Sequence, residues 1–442
     1  MGGVRLGDAR PVTTTPDTDG PRSTKTKRGL GPVTGTALTI AGVVGTGVLV
    51  LPGLAIQDAG PAALVAVAAL VALSVPLAVT FAALGSRFPA AGGVSSFVVR
   101  ALGPTAGTVT AWWFYLGVPL GVPAMGLFAG DYVQAAVGGG TATRLGTALL
   151  VFAVAAAATA RGVTVSGGMQ VALTALLVGG LLLVLALVTP ALQLERLTPV
   201  APNGWGAVAP AALVLVWLLT GWEAAAHLTG RFSDARRDVP RATAATLVVV
   251  AVLSGGITLA LLTVPGIDAG GSAPVTQLLS TVLGGAAATA AAVLAVVVTL
   301  GNTNTYVAGL AELGGEMGRT GQAPHWLAST PGTVPRRSLA VVTVQALVSL
   351  SAVAILGLST KHLVLLTAAS QVAVYGAGLI AALRLLPRRT AGWWAAAVSL
   401  PPILVLAALS GWYLLAPTGL AIAALTHRRL SGRGIAARTG DI

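Results

Sequence analysis

The sequence has no cysteine, few charged residues and only four histidines. Without cysteine, disulfides, thiolate catalysis and cysteine-bound metal sites are excluded. Charged residues make up 9% of the chain, against about 25% in a soluble globular domain. The histidines are scattered along the chain, and no H-E-x-x-H, G-x-S-x-G or P-loop motif is present. These absences argue against a soluble enzyme and leave no catalytic constellation for a membrane-embedded one.

Apolar residues and glycine dominate the composition instead. The 442 residues are 55% hydrophobic, with a mean hydropathy of +0.86 and 57 glycines. This composition predicts an all-α membrane protein whose helices pack closely. Arginine far outnumbers lysine, which occurs only at Lys25, Lys27 and Lys361. Together with abundant alanine and valine, this bias indicates a GC-rich bacterial genome, and we expect a bacterial cytoplasmic membrane protein.

Apolar runs that are long enough to cross a bilayer occur about twelve times. A helix needs about 20 apolar residues to cross the hydrocarbon core. The predicted spans are 33–57, 61–84, 106–130, 145–160, 168–191, 207–230, 242–264, 282–309, 338–358, 362–383, 391–409 and 411–426. The fourth and twelfth runs are short, and only Ser410 separates the last two.

The basic residues predict the orientation of these spans. With twelve spans, 23 of the 26 lysines and arginines fall on the side that holds both termini. We therefore expect both termini to be cytoplasmic, with residues 1–32 a disordered tail that carries no cleavable signal peptide and residues 427–442 a second tail. The net charge of +13 follows from this asymmetry and needs no nucleic-acid partner.

Glycines interrupt the first predicted span between Ala41 and Gly47. Each glycine costs a helix interior about 1 kcal/mol relative to alanine, so a segment that only crosses the membrane does not need them. A broken helix is tolerated in a membrane where its freed backbone groups are buried in protein or line a cavity. We predict such a break near Gly45. The alternative is close helix packing through Gly42 and Thr46, which are four residues apart.

A second break is predicted in the sixth span, where Gly221 interrupts an apolar run. Transporters built from inverted repeats carry such paired breaks. Free N–H groups at the first break would bind a carboxylate, and the free carbonyls of residues 218–220 would bind an ammonium. The pair fits a zwitterion such as an α-amino acid. The predicted substrate-binding residues are Val43, Val44, Gly45, Thr46, Gly47, Leu219, Thr220, Gly221, Trp222, Tyr115 and Asn302.

Glu223 is the one acidic residue that the predicted spans place deep in the membrane. An ionised carboxylate at that depth is costly, so this residue is a functional candidate, and we predict that it couples transport to protons. His227 lies one helical turn later and would share protons with it. The alternatives are a structural carboxylate bonded to the broken backbone and an interfacial histidine.

Further polar and aromatic residues are assigned to the same pocket. Trp222 would cover the ligand and Tyr115 would reach it from the third span, although both residue types also serve as packing and interfacial anchors. In the eighth span Asn302 would line the cavity. Thr303 and Asn304 would coordinate Na⁺ with carbonyls of the first span, unless they only bond between helices. The coupling ion, H⁺ or Na⁺, stays open.

Three stretches of the sequence resemble the amino acid–polyamine–organocation transporters. Residues 45–48, Gly-Thr-Gly-Val, resemble the motif G-[ST]-G-[IV], and residues 220–242 resemble G-[FI]-E…F-x-[ND]-P-x-R-D-x-P-R-A. Residues 314–326 resemble the family's loop after span eight. The methionine and branched-chain amino acid exporter branch, with its G-x-E-x-x-x-H run, is the most similar one. Ala235 replaces the usual proline, and Trp222 stands where a smaller residue is common.

The resemblance implies a LeuT-like fold with discontinuous helices 1 and 6. Two inverted five-helix repeats would cover about 33–191 and 207–385, a transporter core that begins at residue 33, and two further helices would cover 386–426. It also implies substrate contacts at residues 45–47 and 220–222.

We therefore expect a secondary-active transporter of neutral, aliphatic or thioether-bearing amino acids that works by alternating access. The export direction follows from the resemblance alone, whereas exchange for protons by an antiporter is predicted from Glu223. The alternatives are uptake or exchange of another substrate, such as a cationic amino acid or amine paired with Glu223, and a sensor that binds amino acids without transporting them. No cofactor is expected, and the oligomeric state stays open.

Overall fold

The computed structural model describes residues 2, 31–88, 93–223, 232 and 234–439. Over these residues the chain forms sixteen α-helices and no β-strand. The helices are α1 (Pro32–Val43), α2 (Leu51–Ala59), α3 (Ala63–Arg87), α4 (Gly93–Leu102), α5 (Pro104–Trp112), α6 (Val122–Val137), α7 (Gly140–Ala160), α8 (Gly167–Val188), α9 (Val208–Leu215), α10 (Ala235–Thr263), α11 (Pro274–Leu283), α12 (Ala287–Arg319), α13 (Arg336–Leu356), α14 (Thr360–Leu385), α15 (Ala391–Leu409) and α16 (Leu415–Thr439).

Short turns of other helical types join or extend these helices. A π-helical turn covers Trp113–Gly117 between α5 and α6. The 3₁₀ turns are Thr46–Leu49, Gly60–Ala62, Val118–Gly121, Thr189–Ala191, Leu194–Leu197, Trp205–Ala207, Val216–Leu219, Gly284–Ala286, His325–Leu327 and Gly411–Leu414.

Prolines and glycines set many of the helix ends. Pro32, Pro104 and Pro274 stand first in α1, α5 and α11, where the missing N–H would have no helical partner anyway. Gly138 and Gly284 follow α6 and α11 with φ of 77° and 56°, a conformation that glycine adopts readily and that often ends a helix.

Nine helical segments of the described residues are long and apolar enough to cross a membrane. They are Leu51–Arg87, Pro104–Val137, Gly140–Ala160, Gly167–Ala191, Arg237–Thr263, Pro274–Arg319, Arg336–Leu356, Thr360–Leu385 and Ala391–Leu409. These segments cover the predicted spans two to five and seven to eleven, so the chain is an all-helical, multi-pass membrane protein. The predicted first and sixth spans are shorter, interrupted helices, and the total of twelve stays a prediction.

The predicted N-terminal tail stays a prediction, whereas the predicted C-terminal tail overlaps a helix. Most of residues 1–32 lies outside the described residues. At the other end α16 continues to Thr439, so the helix extends well past the predicted boundary at residue 426.

The interrupted helices lie at the centre of the packing. α1 packs against α8 and α10, and α2 packs against α9. α9 also packs against α3 and α14, while α12 lies along α6 and α7. One continuous apolar core joins these elements, and Leu51 and Leu215 are fully buried in it. This arrangement brings the ends of both interrupted helices into the protein interior.

The ends of α13 and α14 define two faces of the molecule. These helices are consecutive in the chain, antiparallel, and joined by a short turn. Arg337 lies in the first turn of α13 and Arg384 in the last turn of α14, so both lie on one face, called the basic face here. Arg384 donates a hydrogen bond to the Ala101 carbonyl at 3.3 Å, and Arg337 donates to the Trp326 carbonyl at 3.0 Å. The turn at residues 357–359 lies on the opposite face.

Candidate functional site

The first break lies where the sequence predicts it. α1 ends at Val43, and Gly45 is extended, with φ −93° and ψ −168°. A 3₁₀ turn, Thr46–Leu49, follows before α2 begins. Among the described backbone groups, neither the Thr46 N–H nor the Gly47 N–H has a carbonyl partner. Two free donors therefore lie at the start of the second half of the helix, where an anion is stabilised.

The second break is equally defined. The 3₁₀ turn Val216–Leu219 ends α9, and Thr220 is extended, with φ −63° and ψ 127°. Gly221 then adopts φ +119°, a conformation that side chains make costly, so glycine is required there. Trp222 and Glu223 are again helical. His227 and the rest of residues 224–230 lie outside the described residues.

Both breaks line one enclosed cavity of about 30 Å³. Of the predicted substrate-binding residues, seven line it: Val43, Val44, Gly45, Thr46, Gly47, Thr220 and Asn302. A volume of this size holds about two waters, so a larger ligand requires the two halves to separate slightly. Among the described lining residues no side chain is charged at neutral pH, and the polar groups are backbone, hydroxyl and amide groups.

One wall of the cavity is apolar and was not identified from the sequence. It consists of Met125, Trp217, Val250 and Leu253. The Trp217 ring lies directly over Gly121, because a Cβ built there would come within 2.2 Å of the ring. The sequence gives a weak sign of this wall, since Trp217 lies four residues before Gly221 on the same apolar run.

Asn302 joins the cavity to α8. Its Oδ1 accepts a hydrogen bond from Gln170 Nε2 at 3.3 Å, and its Nδ2 lies 3.7 Å from a Cβ built at Gly45. Gln170 Oε1 in turn accepts from the Thr305 hydroxyl at 3.3 Å. The Asn302 amide is thus held by its oxygen, and its donor side faces the first break.

Glu223 lies behind the second break, away from the cavity lining, and is 3% exposed. Its Oε2 accepts from the Gly221 N–H at 3.0 Å and lies 2.5 Å from the Tyr375 hydroxyl. The same hydroxyl also contacts the Leu219 carbonyl. Tyr375 has one proton for these two acceptors. Both contacts are hydrogen bonds only when Glu223 carries a proton and donates it to the Tyr375 oxygen.

Four predicted binding residues are not in the cavity lining: Leu219, Gly221, Trp222 and Tyr115. Tyr115 lies in the π-helical turn, and its hydroxyl is bonded to Ser338 Oγ at 2.9 Å in a separate apolar cluster. Trp222 is 1% exposed and lines a different small space, between Thr39, Ala78 and Phe232. In this arrangement of the helices neither aromatic side chain lines the cavity, and their contact with a ligand stays a prediction.

Of the two predicted sodium ligands, Thr303 is buried, and Asn304 bonds to residues at the end of α7. Asn304 Nδ2 lies 3.3 Å from each of the Ala155 carbonyl, the Thr159 hydroxyl and the Val163 carbonyl, and its Oδ1 accepts from the Val165 N–H at 2.9 Å. These bonds fasten α12 to the end of α7. Asn304 therefore bonds between helices, and the sodium site stays a prediction.

Two ion pairs join helices on the opposite face. Lys361 at the start of α14 contacts Asp58 at the end of α2. Arg144 Nε lies 2.6 Å from Asp131 Oδ1, which joins α7 to α6. The Tyr132 hydroxyl donates to the Leu49 carbonyl at 2.8 Å beneath these pairs.

Two broken helices that meet at a buried cavity define a membrane protein of the kind that binds small solutes at mid-membrane. A profile of the amino acid permease family matches residues 30–426. The chain belongs to this family, which is part of the amino acid–polyamine–organocation superfamily, and the resemblance found in its motifs is confirmed.

The chain is similar to three bacterial proteins of known sequence. It is 29% identical to the uncharacterized amino acid permease YecA of Bacillus subtilis (strain 168) over 406 residues, 90% of this chain and 95% of that protein. It is 33% identical to the L-methionine/branched-chain amino acid exporter YjeH of Escherichia coli (strain K12) over 242 residues, 53% of this chain and 56% of that protein. It is 27% identical to the branched-chain amino acid permease BcaP of Bacillus subtilis (strain 168) over 252 residues, 51% and 53% of the two chains.

Proposed function

We propose that the protein is a secondary-active transporter that exports neutral amino acids, methionine and branched-chain amino acids among them, in exchange for protons. The observation that carries this proposal is the meeting of the two breaks at one cavity. The free N–H groups of Thr46 and Gly47 suit a carboxylate, and the carbonyl end at Leu218 and Thr220 suits an ammonium. A zwitterion satisfies both ends at once.

The remaining lining supports a neutral, apolar side chain on the substrate. Met125, Trp217, Val250 and Leu253 offer hydrophobic surface, and no described lining residue carries a charge at neutral pH. A cationic side chain would lose its hydration there without an acidic partner, because Glu223 faces Tyr375 and not the cavity. This favours aliphatic or thioether side chains over cationic ones. The export direction rests on the name of the Escherichia coli relative alone.

Proton coupling is assigned to Glu223 together with Tyr375. When Glu223 is protonated, Tyr375 can donate to the Leu219 carbonyl; when it is ionised, the carboxylate attracts the same hydroxyl proton. Loss of the proton therefore frees a carbonyl at the second break. The Tyr375 hydroxyl thus links the release of the proton from Glu223 to the number of free carbonyls where the substrate ammonium would bind. His227, four residues further along the sequence, remains the proposed partner in this exchange.

The helix contacts support the proposed inverted repeats. In such repeats, membrane span n corresponds to span n + 5. Because α1 and α9 lie in spans one and six, and α3 and α10 in spans two and seven, the contact of α1 with α10 should recur as a contact of α9 with α3. It does. The contact of α1 with α8 likewise recurs between α9 and α14. The contact of α7 with α12 recurs between α13 and α6. Alternating access would then rock the broken helices and their partners against the rest.

The orientation is proposed to place the basic face in the cytoplasm. The natural absence of cysteine allows a direct test with single-cysteine variants. Ser272 and Thr330 are exposed and lie in loops on the opposite and the basic face. In intact cells a membrane-impermeant maleimide should label Ser272→Cys, whereas Thr330→Cys should react only after lysis. The reverse pattern would invert the proposed topology.

Transport itself is tested with purified protein in liposomes loaded with labelled methionine or leucine. We expect flux down the amino-acid gradient, faster with an opposing proton gradient, and competition by unlabelled neutral amino acids but not by arginine or lysine. Binding without flux would favour the sensor. Flux of arginine or lysine instead of the neutral amino acids would refute the assigned substrate class.

A further inference from the structure

A long apolar groove on the membrane-facing surface lies apart from the proposed transport site. It has a volume of about 820 Å³ and runs between the π-helical segment, α13 and α16. Leu120, Val344 and Leu420 are among its lining residues. Val344 is 59% exposed and Val348, one turn further, is 62% exposed, so this side of α13 faces lipid. Volumes of about 300–1,000 Å³ are typical of small-molecule sites.

The groove has a charged end at the basic face and an uncharged end deeper along α13. Arg337 and Trp326 line it at the basic face, and Gln345 lines it eight residues further along α13. At 1.5 Å per residue this distance is about 12 Å, close to the thickness of one leaflet of a core about 30 Å thick. The Gln345 amide nitrogen is engaged by the Leu116 carbonyl. The groove thus extends from the membrane surface towards the midplane.

Arg337 has no acidic partner among the described residues. The three ion pairs of that part of the chain involve Arg144, Arg319 and Lys361. One nitrogen of the Arg337 guanidinium, Nη1, donates to the Trp326 carbonyl at 3.0 Å, which fixes the group at the groove entrance. Trp326 is 51% exposed, as is usual for a tryptophan at the membrane interface. A guanidinium held in this position can bind a phosphate through its remaining N–H groups.

We propose that this groove binds one anionic phospholipid of the leaflet on the basic face, with its phosphate at Arg337 and an acyl chain along Val344 and Leu420. The positive charge of Arg337 at the entrance suits an anionic headgroup, and the apolar lining suits an acyl chain. The N-terminal segment of the chain is a poor alternative, because residues 1–30 carry six lysines and arginines and would be repelled by Arg337. A lipid in the groove would join α13 and α16 to the π-helical turn.

The test compares the binding of phosphatidylglycerol and phosphatidylcholine to delipidated full-length protein, by native mass spectrometry and by the shift of the melting temperature. Phosphatidylglycerol should bind with one high-affinity site and raise the melting temperature more than phosphatidylcholine does. Arg337→Gln should weaken phosphatidylglycerol binding about tenfold or more, as expected for the loss of a charge-assisted contact. Arg336→Gln is the matched control, because the neighbouring arginine is exposed and does not line the groove.

A second variant tests the acyl-chain part. Val344→Trp fills the groove from an exposed position and should abolish the high-affinity site while leaving the folded protein intact. Equal phosphatidylglycerol binding by Arg337→Gln and Arg336→Gln would overturn the headgroup assignment. Equal affinity for both lipids would refute a site for anionic lipid. Loss of a dimer in Val344→Trp, without any change in lipid binding, would assign the groove to a second copy of the chain.

Discussion

Replacing Gly45 with leucine is expected to abolish substrate binding while the protein still folds. The backbone at Gly45 has φ −93°, which any residue can adopt, and a Cβ built there meets only Asn302 Nδ2 at 3.7 Å. The rest of the leucine side chain would extend into a cavity of about 30 Å³ and occupy the proposed carboxylate position. Affinity for methionine or leucine, measured by scintillation proximity or calorimetry, should fall more than about a hundredfold, about 3 kcal/mol.

The control for this variant is Gly255→Leu. Gly255 follows the cavity residue Ser254 in α10, but a Cβ built on it meets no atom within 4 Å. It should keep wild-type affinity and the same elution profile in detergent. If Gly45→Leu binds substrate as tightly as Gly255→Leu does, the first break is not part of the binding site.

Glu223→Gln is expected to uncouple transport from the proton gradient. A one-proton antiporter accumulates its substrate up to about tenfold per unit of pH difference, because each unit corresponds to about 1.4 kcal/mol. Glutamine keeps the size and an acceptor oxygen for the Gly221 N–H, but it cannot gain or lose the proton shared with Tyr375. Exchange of labelled for unlabelled substrate should persist, whereas accumulation driven by a pH gradient in liposomes should fall to a ratio of about one.

Glu312→Gln serves as the charge-matched control, since this carboxylate is exposed on α12 and lines another space beside the loop at residues 329–335. It should retain gradient-driven accumulation. Tyr375→Phe removes the hydroxyl that joins Glu223 to the Leu219 carbonyl and should slow the pH-driven step more than the exchange. Unchanged accumulation in Glu223→Gln would remove this residue from proton coupling.

The sequence was sufficient to predict both helix breaks and most of the cavity lining they contribute. Gly45 and Gly221 indicate the breaks directly, because glycine lets the backbone leave helical angles within an apolar run. Tyr375 could not be found in the same way, since it meets Glu223 across 152 residues of chain. Such a pairing arises only when α14 packs on the end of α9.

The aromatic residues were assigned less well, for a local reason. Tyr115 lies in a π-helical turn, in which side chains do not follow the 3.6-residue period of an α-helix, so the sequence does not show which neighbours its side chain contacts. Around the second break a 3₁₀ turn and the positive φ of Gly221 separate Trp217 from Trp222, so that Trp217 and not Trp222 faces the cavity. Departures from regular helix geometry decide which of two nearby tryptophans lines a pocket.

The uncharged lining of the cavity has an electrical consequence. A zwitterion has no net charge, and no described side chain that lines the cavity is charged at neutral pH, so the passage of a neutral amino acid by itself moves no net charge across the membrane. One proton moved through 100 mV changes the free energy by about 2.3 kcal/mol. If Glu223 is the coupling group, currents recorded from the reconstituted protein count protons directly, and the ratio of charge to labelled amino acid gives the stoichiometry without knowledge of either gradient.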